Sequence, residues 1–280
     1  MKISLIITTY NNPVFLEMVL LSVQKQVFRK NPDTKLEVII ADDGSLTPTR
    51  ELIIQYQKIL SFPLLHVWQE DDGFRASRIR NLAVKATSSE YIIFIDGDCV
   101  LPPDFIDMHL ELKEEGFLVS GGRILLSENY TNYIIKTKNI VVTNSSILFY
   151  LYYKITGKIN KVMPWLRLNT KAAWRKKSAY DWKKPKSCNL GLFKNDYLRV
   201  NGFDESFIGW GHEDSDIVIR LLHAGVLIKN GRFAASVFHL WHRENSRWQK
   251  SNNYERLLHR IKDAEFIKAE VGINDDKSCN

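Results

Sequence analysis

The feature that most constrains this chain is a series of short apolar runs, each separated by an amphipathic stretch and each ending in polar residues. Ile3–Thr8, Leu36–Ala41, Leu64–Trp68 and Tyr91–Ile95 read as buried strands. Between them lie helical patterns. Asn12 offers an N-cap and Pro13 a first helical position, with Leu16, Val19, Leu20, Val23 and Val27 on one face. Thr47-Pro48 restarts a helix with Leu52, Ile53, Tyr56 and Leu60 facing in, and Arg75–Ala86 turns Ile79, Leu82, Ala83 and Ala86 inward. Strands that are apolar on both faces need cover on both sides. The alternation over residues 1–123 therefore predicts an α/β fold, a Rossmann-like, mostly parallel central sheet flanked by helices. Three polar clusters, Thr8–Asn11, Asp42–Ser45 and Asp96–Asp98, follow strands at their carboxyl ends, where open sheets of this kind collect ligands.

The periodicity weakens over residues 124–188, which read as a basic, aromatic-rich insertion rather than a second domain. Order returns at Asn189. Asn195 is expected to cap a short helix ending at Gly202, and Ile217–Leu222 form a strongly apolar helix with Gly225 just beyond it. A strand over Ala234–Phe238 leads into His239-Leu240-Trp241-His242, and an amphipathic helix is expected from Tyr254 to Val271. The polar tail Asn274–Asn280 is the one segment expected to be disordered. These patterns predict one domain of 280 residues, divided into 1–123, the insertion 124–188, and a second half 189–280 with a C-terminal helix.

Several function classes fall away on composition. Ile3–Ile7 is too short for a signal segment, and Ile147–Tyr153 is too short to span a bilayer. Cys99, Cys188 and Cys279 are odd in number and widely spaced, so a disulfide framework or zinc pair is not expected and a reducing, cytoplasmic setting is. The net charge of +7 is localised: residues 154–186 hold eleven Lys/Arg against the single acid Asp181, whereas the remainder is slightly acidic. Trp165, Trp174, Tyr180 and Trp182 are interleaved with those cations. No nucleic-acid-binding motif accompanies them, so the expected partner is an anionic membrane surface or a glycolipid acceptor, not nucleic acid.

The chemistry concentrates in a few stretches. Asp96-Gly97-Asp98 puts two carboxylates at the end of a buried strand, as a hard divalent cation bridging protein and diphosphate requires, although a solvated turn has the same composition. His239 and His242 add imidazoles at i and i+3. A mixed Asp/His donor set points to Mn²⁺, with Mg²⁺ as the carboxylate-only alternative. In Gly209-Trp210-Gly211-His212-Glu213-Asp214 two glycines let the backbone approach a ligand, the indole offers a stacking face, and the acids open a buried helix. Either acid could serve as a general base, while Asp216 reads as a helix-end acid paired with Arg220. Arg75, Arg78 and Arg80 open a helix near a strand end, where they could meet a diphosphate, with a solvated helix face as the alternative for Arg75 and Arg78.

Assembled in this order, Ile6-Ile7-Thr8-Thr9-Tyr10-Asn11, Ala41-Asp42-Asp43-Gly44-Ser45, Arg80-Asn81 and Asp96-Gly97-Asp98 resemble the donor half of family 2 glycosyltransferases of GT-A fold. Asn201-Gly202-Phe203-Asp204-Glu205 followed by Gly209–Asp214 is similar to the C-terminal half of animal β-1,4-galactosyltransferases and bacterial chondroitin polymerases. The resemblance implies an inverting, metal-dependent transfer of a hexose or N-acetylhexosamine from a UDP-sugar to a saccharide hydroxyl, in bacterial surface polysaccharide or lipopolysaccharide synthesis. It implies a donor site of Thr9, Tyr10, Asn11, Asp42, Asp43, Arg80, Asn81, Asp96 and Gly97, with Asp42 accepting from the uracil N3–H and Asp96 on the ribose. Asp98 would ligate the metal together with His242 or His239. Asp214 would be the base, Glu213 would help hold the sugars, and Trp210 and Gly211 would border the acceptor. A nucleotidyltransferase would show a glycine-rich phosphate loop, which Thr8–Pro13 lacks. A non-catalytic sugar-binding protein on the same fold would be expected to have lost Asp98, Asp214 or His242, and all three are present.

Overall fold

The computed structural model describes residues 1–161, 166–243 and 250–275. The first part of the chain alternates as its apolar pattern requires: β1 (Lys2–Thr9), α1 (Pro13–Gln24), β2 (Lys35–Asp42), α2 (Thr47–Ile59), β3 (Leu64–Trp68), α3 (Ala76–Ala86) and β4 (Tyr91–Asp96). Then come β5 (Cys99–Val100), α4 (Phe105–Leu112), β6 (Phe117–Ser120), β7 (Gly122–Leu125), α5 (Glu128–Thr137) and α6 (Ile147–Ile155). The chain finishes with β8 (Asn189–Phe193), α7 (Lys194–Arg199), α8 (Glu213–His223), β9 (Leu227–Asn230), β10 (Ser236–His239) and α9 (Lys250–Lys262).

The central sheet has the order β3-β2-β1-β4-β8-β6-β9, and every strand is parallel to its neighbours except β8, which runs antiparallel between β4 and β6. Helices cover both faces. One core layer packs α1, α2 and α4 against Leu5, Val38, Ile40 and Ile93; the other packs α3, α7 and α8 against Ile6, Ile39, Ile92 and Phe94. The small sheet β5-β10-β7 sits beside these layers, and Tyr130, Ile134, Tyr150 and Tyr153 from α5 and α6 bury its Ile124 and Phe238.

Local chemistry accounts for most helix starts. The Asn12 side chain accepts from the Phe15 N–H at 3.1 Å, with Pro13 at the first helical position. Six expectations shift. α1 stops at Gln24, so Val27 lies beyond it and donates its N–H to Pro103 O instead. Arg75 precedes α3 because its N–H is taken by Asp43. Phe193, not Asn195, occupies the N-cap position of α7, since β8 runs directly into that helix. The last helix ends at Lys262 rather than Val271: the following chain folds back, with Ala269 N–H bonding Val200 O, Ile273 N–H bonding Asn201 O, and Ile273 buried in the core. The expected insertion boundary after residue 123 falls inside β7, and the strand expected from Ala234 begins at Ser236, after a turn in which Ala234 and Ala235 donate to Gly231 O.

Candidate active site

The parallel register brings three strand ends to one edge: Thr9 lies opposite Asp42, and Thr8 opposite both Ala41 and Asp96. Asp42 is fully buried and oriented at both oxygens, accepting from the Ser45 N–H at 2.9 Å and lying 2.9 Å from His66 Nε2. Asp43 accepts from Gln69 Nε2 at 2.5 Å and from the Arg75 N–H at 3.0 Å, and burial pushes its carboxyl up to about 6. Gly44 makes the turn between these loops possible. Its φ is +96°, and a Cβ there would sit 2.6 Å from Asp71 Cα. Tyr10 donates its hydroxyl to Asp71 at 2.8 Å and is 51% exposed, so its ring offers a face to a ligand.

Two residues expected in the donor site do other work. Asn11, at φ 45°, clasps the first two loops together: its N–H reaches Ser45 Oγ and its side-chain oxygen accepts from the Leu46 N–H, each at 2.8 Å. Asn81 is buried with its capacity spent. It donates to Phe203 O and Glu205 and accepts from the Tyr197 hydroxyl and the Phe203 N–H, so it staples α3 to the segment after α7 instead of facing a donor.

At Gly97 the chain passes so close to β1 that a Cβ would lie 3.0 Å from Thr8 O, while the Gly97 N–H bonds that same oxygen at 2.7 Å. The glycine lets the two flanking acids diverge. Asp96 turns towards Arg80, 3.4 Å away, and burial raises its carboxyl to about 7. Asp98 turns towards the small sheet, where His242 Nε2 lies at 3.0 Å and His239 Nε2 at 3.4 Å from Oδ2. Burial opposes ionisation of Asp98, but the hydrogen bond from His242 and the two imidazoles outweigh it and hold the carboxyl below its ordinary value. The Asp98 contact in turn raises His242 to about 9, whereas burial lowers His239.

Ligand atoms of Asp98, Cys99 and His239 lie within 4.8 Å of one another. Burial raises the Cys99 thiol well above its ordinary value, which keeps it a protonated and poor ligand. Asp98 with His239 and His242 is the chemically better donor set. The His242 Nδ1–H is aimed at Arg243 O at 2.8 Å, which leaves Nε2 as the nitrogen with a lone pair once the ring is neutral. An oxygen and two imidazole nitrogens suit Mn²⁺ and similar ions.

The second acidic pair arrives from the far end of the chain. Gly209 (φ 75°), Gly211 (φ 111°) and His212 (φ 73°) fold Gly209–His212 into a tight loop that delivers Glu213 and Asp214 as the first turn of α8. Asn253 of α9 ties the loop down by donating to Ile208 O and Gly211 O. Glu213 lies 3.6 Å from Arg80, and burial together with the Asp214 charge pushes its carboxyl up to about 7. One oxygen of each acid, Glu213 Oε2 and Asp214 Oδ1, is buried with no hydrogen-bond partner among the described residues, as expected of groups built to meet a ligand. Trp210, 37% exposed, borders this position. Arg80 joins the two halves. Its buried guanidinium bonds Thr8 Oγ1 at 3.2 Å, rests 5.1 Å over the Phe203 ring, and faces Asp96 on one side and Glu213 on the other. It therefore neutralises carboxylates, and its Nη1 is a further buried atom with no hydrogen-bond partner among the described residues.

The basic segment is less uniform than its composition suggests. Arg175 is fully buried and donates to four backbone carbonyls, those of Leu168, Asn169, Asn230 and Arg232. Arg167 pairs with Asp104, Lys176 with Glu114, and Lys184 with Asp181. Much of the charge expected to face a membrane over 154–186 is spent holding the chain together. Trp165 and Cys279 lie outside the described residues. Sequence reasoning missed His66, Gln69 and Asn253 as groups that orient the site. Only His66 carried a signal, as a polar residue in the register of β3 directly opposite Ile40.

Comparison with known proteins adds an independent line. Residues 4–174 match the model of glycosyl transferase family 2, and residues 170–243 match that of the N-terminal domain of galactosyltransferase. Similar proteins include the chondroitin synthase of Escherichia coli, 24% identical over 81% of this chain and 33% of that protein. The hyaluronan synthase of Pasteurella multocida is 26% identical over 81% and 23% respectively. The validoxylamine A glucosyltransferase of Streptomyces hygroscopicus subsp. limoneus is 26% identical over 80% and 48%. The chain thus spans about a quarter to a half of these relatives. Among solved structures, the mannosyltransferase PcManGT of Pyrobaculum calidifontis, in complex with GDP-Man and Mn²⁺, superposes with a TM-score of 0.59 at 14% identity, over 94% of this chain and 68% of that one. Staphylococcus aureus TarS 1–349 in complex with UDP gives 0.57 at 16% identity, over 93% and 64%. These likenesses identify the GT-A fold.

Proposed function

Because the chain belongs to glycosyl transferase family 2, we propose that it transfers a hexose or N-acetylhexosamine from a UDP-sugar to a saccharide hydroxyl, with inversion, assisted by a divalent cation. The observation that carries this reading is the meeting of Asp96, at the end of β4, and Glu213, at the start of α8, across Arg80, each with a second acid beside it in sequence, Asp98 and Asp214. One pair is arranged for a leaving group and the other for an attacking one.

Asp42, held at both oxygens, accepts from the uracil N3–H, with Thr9 and Tyr10 beside the base, Asp43 stiffening the adjacent turn and Asp96 on the ribose. Asp98 with His242 and His239 holds the cation, Mn²⁺ ahead of Mg²⁺ on donor chemistry. When bound, that ion supplies charge neutralisation for the departing diphosphate. Asp214 removes the proton from the acceptor hydroxyl through its unpartnered oxygen. The acceptor oxygen bonds to the anomeric carbon as the bond from that carbon to the diphosphate breaks, and the electron pair leaves with UDP. A single displacement from the opposite face inverts configuration. Glu213, steadied by Arg80, orients sugar hydroxyls, and Trp210 stacks on a sugar ring beside Gly211.

The relatives that make chondroitin and hyaluronan support a role in bacterial surface polysaccharide or lipopolysaccharide assembly. Cys99 and Cys188, both free and buried, support a reducing, cytoplasmic setting. The decisive experiment is Asp214→Asn, assayed by calorimetry with UDP and Mn²⁺ and by turnover across a panel of UDP-sugars. Nucleotide and metal binding should be retained, and transfer should fall by about 10²–10⁴-fold. Native turnover by the variant would remove Asp214 as the base, and failure of every UDP-sugar to bind the wild type would remove the donor assignment.

A further inference from the structure

α6 is unusual in what it leaves uncovered. Of its nine residues only Tyr150 and Tyr153 are buried, and Ile147, Leu148, Phe149, Leu151, Tyr152 and Ile155 are all exposed, Leu148 at 74% and Ile155 at 84%. At 100° per residue these six side chains spread round an arc of about 200°. The only charged residue of the helix, Lys154, lies at one margin of that arc. An apolar crest of this width far exceeds the scattered exposed leucines of ordinary surfaces.

The flanks carry charge of one sign. From Asn129 to Tyr180 the sequence has no Asp or Glu and ten Lys/Arg. Lys154 donates to Asn160 O, and Lys158 lies over the Tyr152 ring at 4.7 Å and close to the rings of Tyr130 and Tyr153. Neither has an ion-pair partner among the described residues. Tyr133 and Tyr152 are both half-exposed, and Lys158 lies against the Tyr152 ring. Exposed aliphatic side chains flanked by tyrosines and lysines are the composition of an interfacial helix, whose apolar side chains enter the acyl boundary while its cations meet the headgroups. No helix among the described residues is long and apolar enough to cross a membrane, so the contact this geometry permits is one in which the helix lies in the interface plane.

We propose that α6, with the lysines around it, docks this chain onto an anionic lipid surface. The docking face is thus α6 and its flanks, with the internally paired cations of 167–186 contributing structure rather than contact. The helix is also close to the chemistry. Tyr150 stacks on Phe238, 6.2 Å between ring centres, and Phe238 immediately precedes His239. Seating α6 in the headgroup layer would hold the cleft at that layer, where a lipid-linked acceptor presents its sugar.

The test uses the full chain and needs no transfer assay, so its outcome is separate from that of the proposed reaction. Vesicles of phosphatidylcholine alone and of phosphatidylcholine mixed with phosphatidylglycerol are floated with wild type, with L148S/I155S and with K154Q/K158Q. Wild type should float with the anionic vesicles and release as salt rises. L148S/I155S should bind them roughly tenfold or more weakly, because both side chains would otherwise leave water. K154Q/K158Q should lose the preference for anionic over neutral vesicles. Leu148, Ile155 and Lys154 are exposed and Lys158 is half-buried, all outside the catalytic cleft, and circular dichroism with UDP binding checks that each variant is folded. Wild type that ignores anionic vesicles overturns the proposal, as does L148S/I155S binding at the wild-type level. A concentration-dependent dimer that L148S/I155S abolishes, in a chain indifferent to vesicles, would assign the crest to a second copy instead.

Discussion

Arg80 is the residue on which the two acidic groups depend. It is buried and faces Asp96 and Glu213, whose carboxyls are both raised to about 7. Glu213 ordinarily loses its proton near 4.5, so the folded state binds more protons than the unfolded state between about 4.5 and 7. The contribution of this carboxyl to stability therefore falls as pH rises through that window and is level above it. Arg80 limits that loss by opposing the two carboxylates once they ionise. Arg80→Met should destabilise the protein by about 3 kcal/mol at pH 8, where two buried carboxylates lose their cation, and by clearly less at pH 5, where both are mostly neutral. Urea unfolding at the two pH values measures the difference, and equal losses would show that the cation does not serve these acids. At this scale the sequence was only partly legible. Asp96, Asp98, Glu213 and Asp214 stand out by type and spacing. The contact between Arg80 and Glu213 joins positions far apart in the chain and has no local signature. Asn81 shows a second reason: an asparagine that ties backbone together looks, in sequence, like one that waits for a ligand.

Among the elements, α8 carries the heaviest burden. Its first turn holds Glu213, Asp214 and Asp216, three acids where the helix dipole favours them. Asp216 is anchored underneath by Arg220 at 2.6 and 2.8 Å, and that guanidinium also donates to Val200 O and Gly202 O. Arg260 of α9 adds a contact to Asp216 at 3.1 Å and one to Asp204 at 2.8 Å. Replacing Arg220 by Met should cost about 3–5 kcal/mol, because Asp216 would stay buried with half its partners gone. Thermal denaturation measures this, and a loss below about 1 kcal/mol would mean that Arg260 alone suffices. The pairing of Asp216 with Arg220 is legible from their i, i+4 spacing. The contribution of α9 is not, because the amphipathic pattern runs on past Lys262 while the chain has turned back to bond Val200 and Asn201.

At the scale of the whole molecule, the α/β alternation was legible from apolar runs alone, since a strand covered on both faces has few alternative readings. The small sheet was not, because β5 and β7 are short and β10 joins them only through tertiary pairing. That sheet is what carries His239 to Asp98, so a cation held there would cross-link β10 to the end of β4. Mn²⁺ at about a hundredfold excess over its Kd should stabilise the fold by about 2.7 kcal/mol, raising the thermal midpoint. Asp98→Asn should abolish that rise while leaving the metal-free midpoint within a few degrees of wild type. Calorimetric scans with and without Mn²⁺ decide it, and an undiminished rise in the variant would move the ion elsewhere.

The antiparallel strand β8 has a consequence for how the chain is made. It fills the gap between β4 and β6, yet it emerges from the ribosome roughly 100 residues after β4 is complete. At typical synthesis rates, β4 waits on the order of 5–20 s with one row of backbone donors and acceptors unmatched. For that interval the nascent chain presents an apolar strand edge, Tyr91–Asp96, to anything that can add a strand. The arrival of β8 ends that exposure, before α8 and β10 bring Glu213, Asp214 and His239 to the cleft.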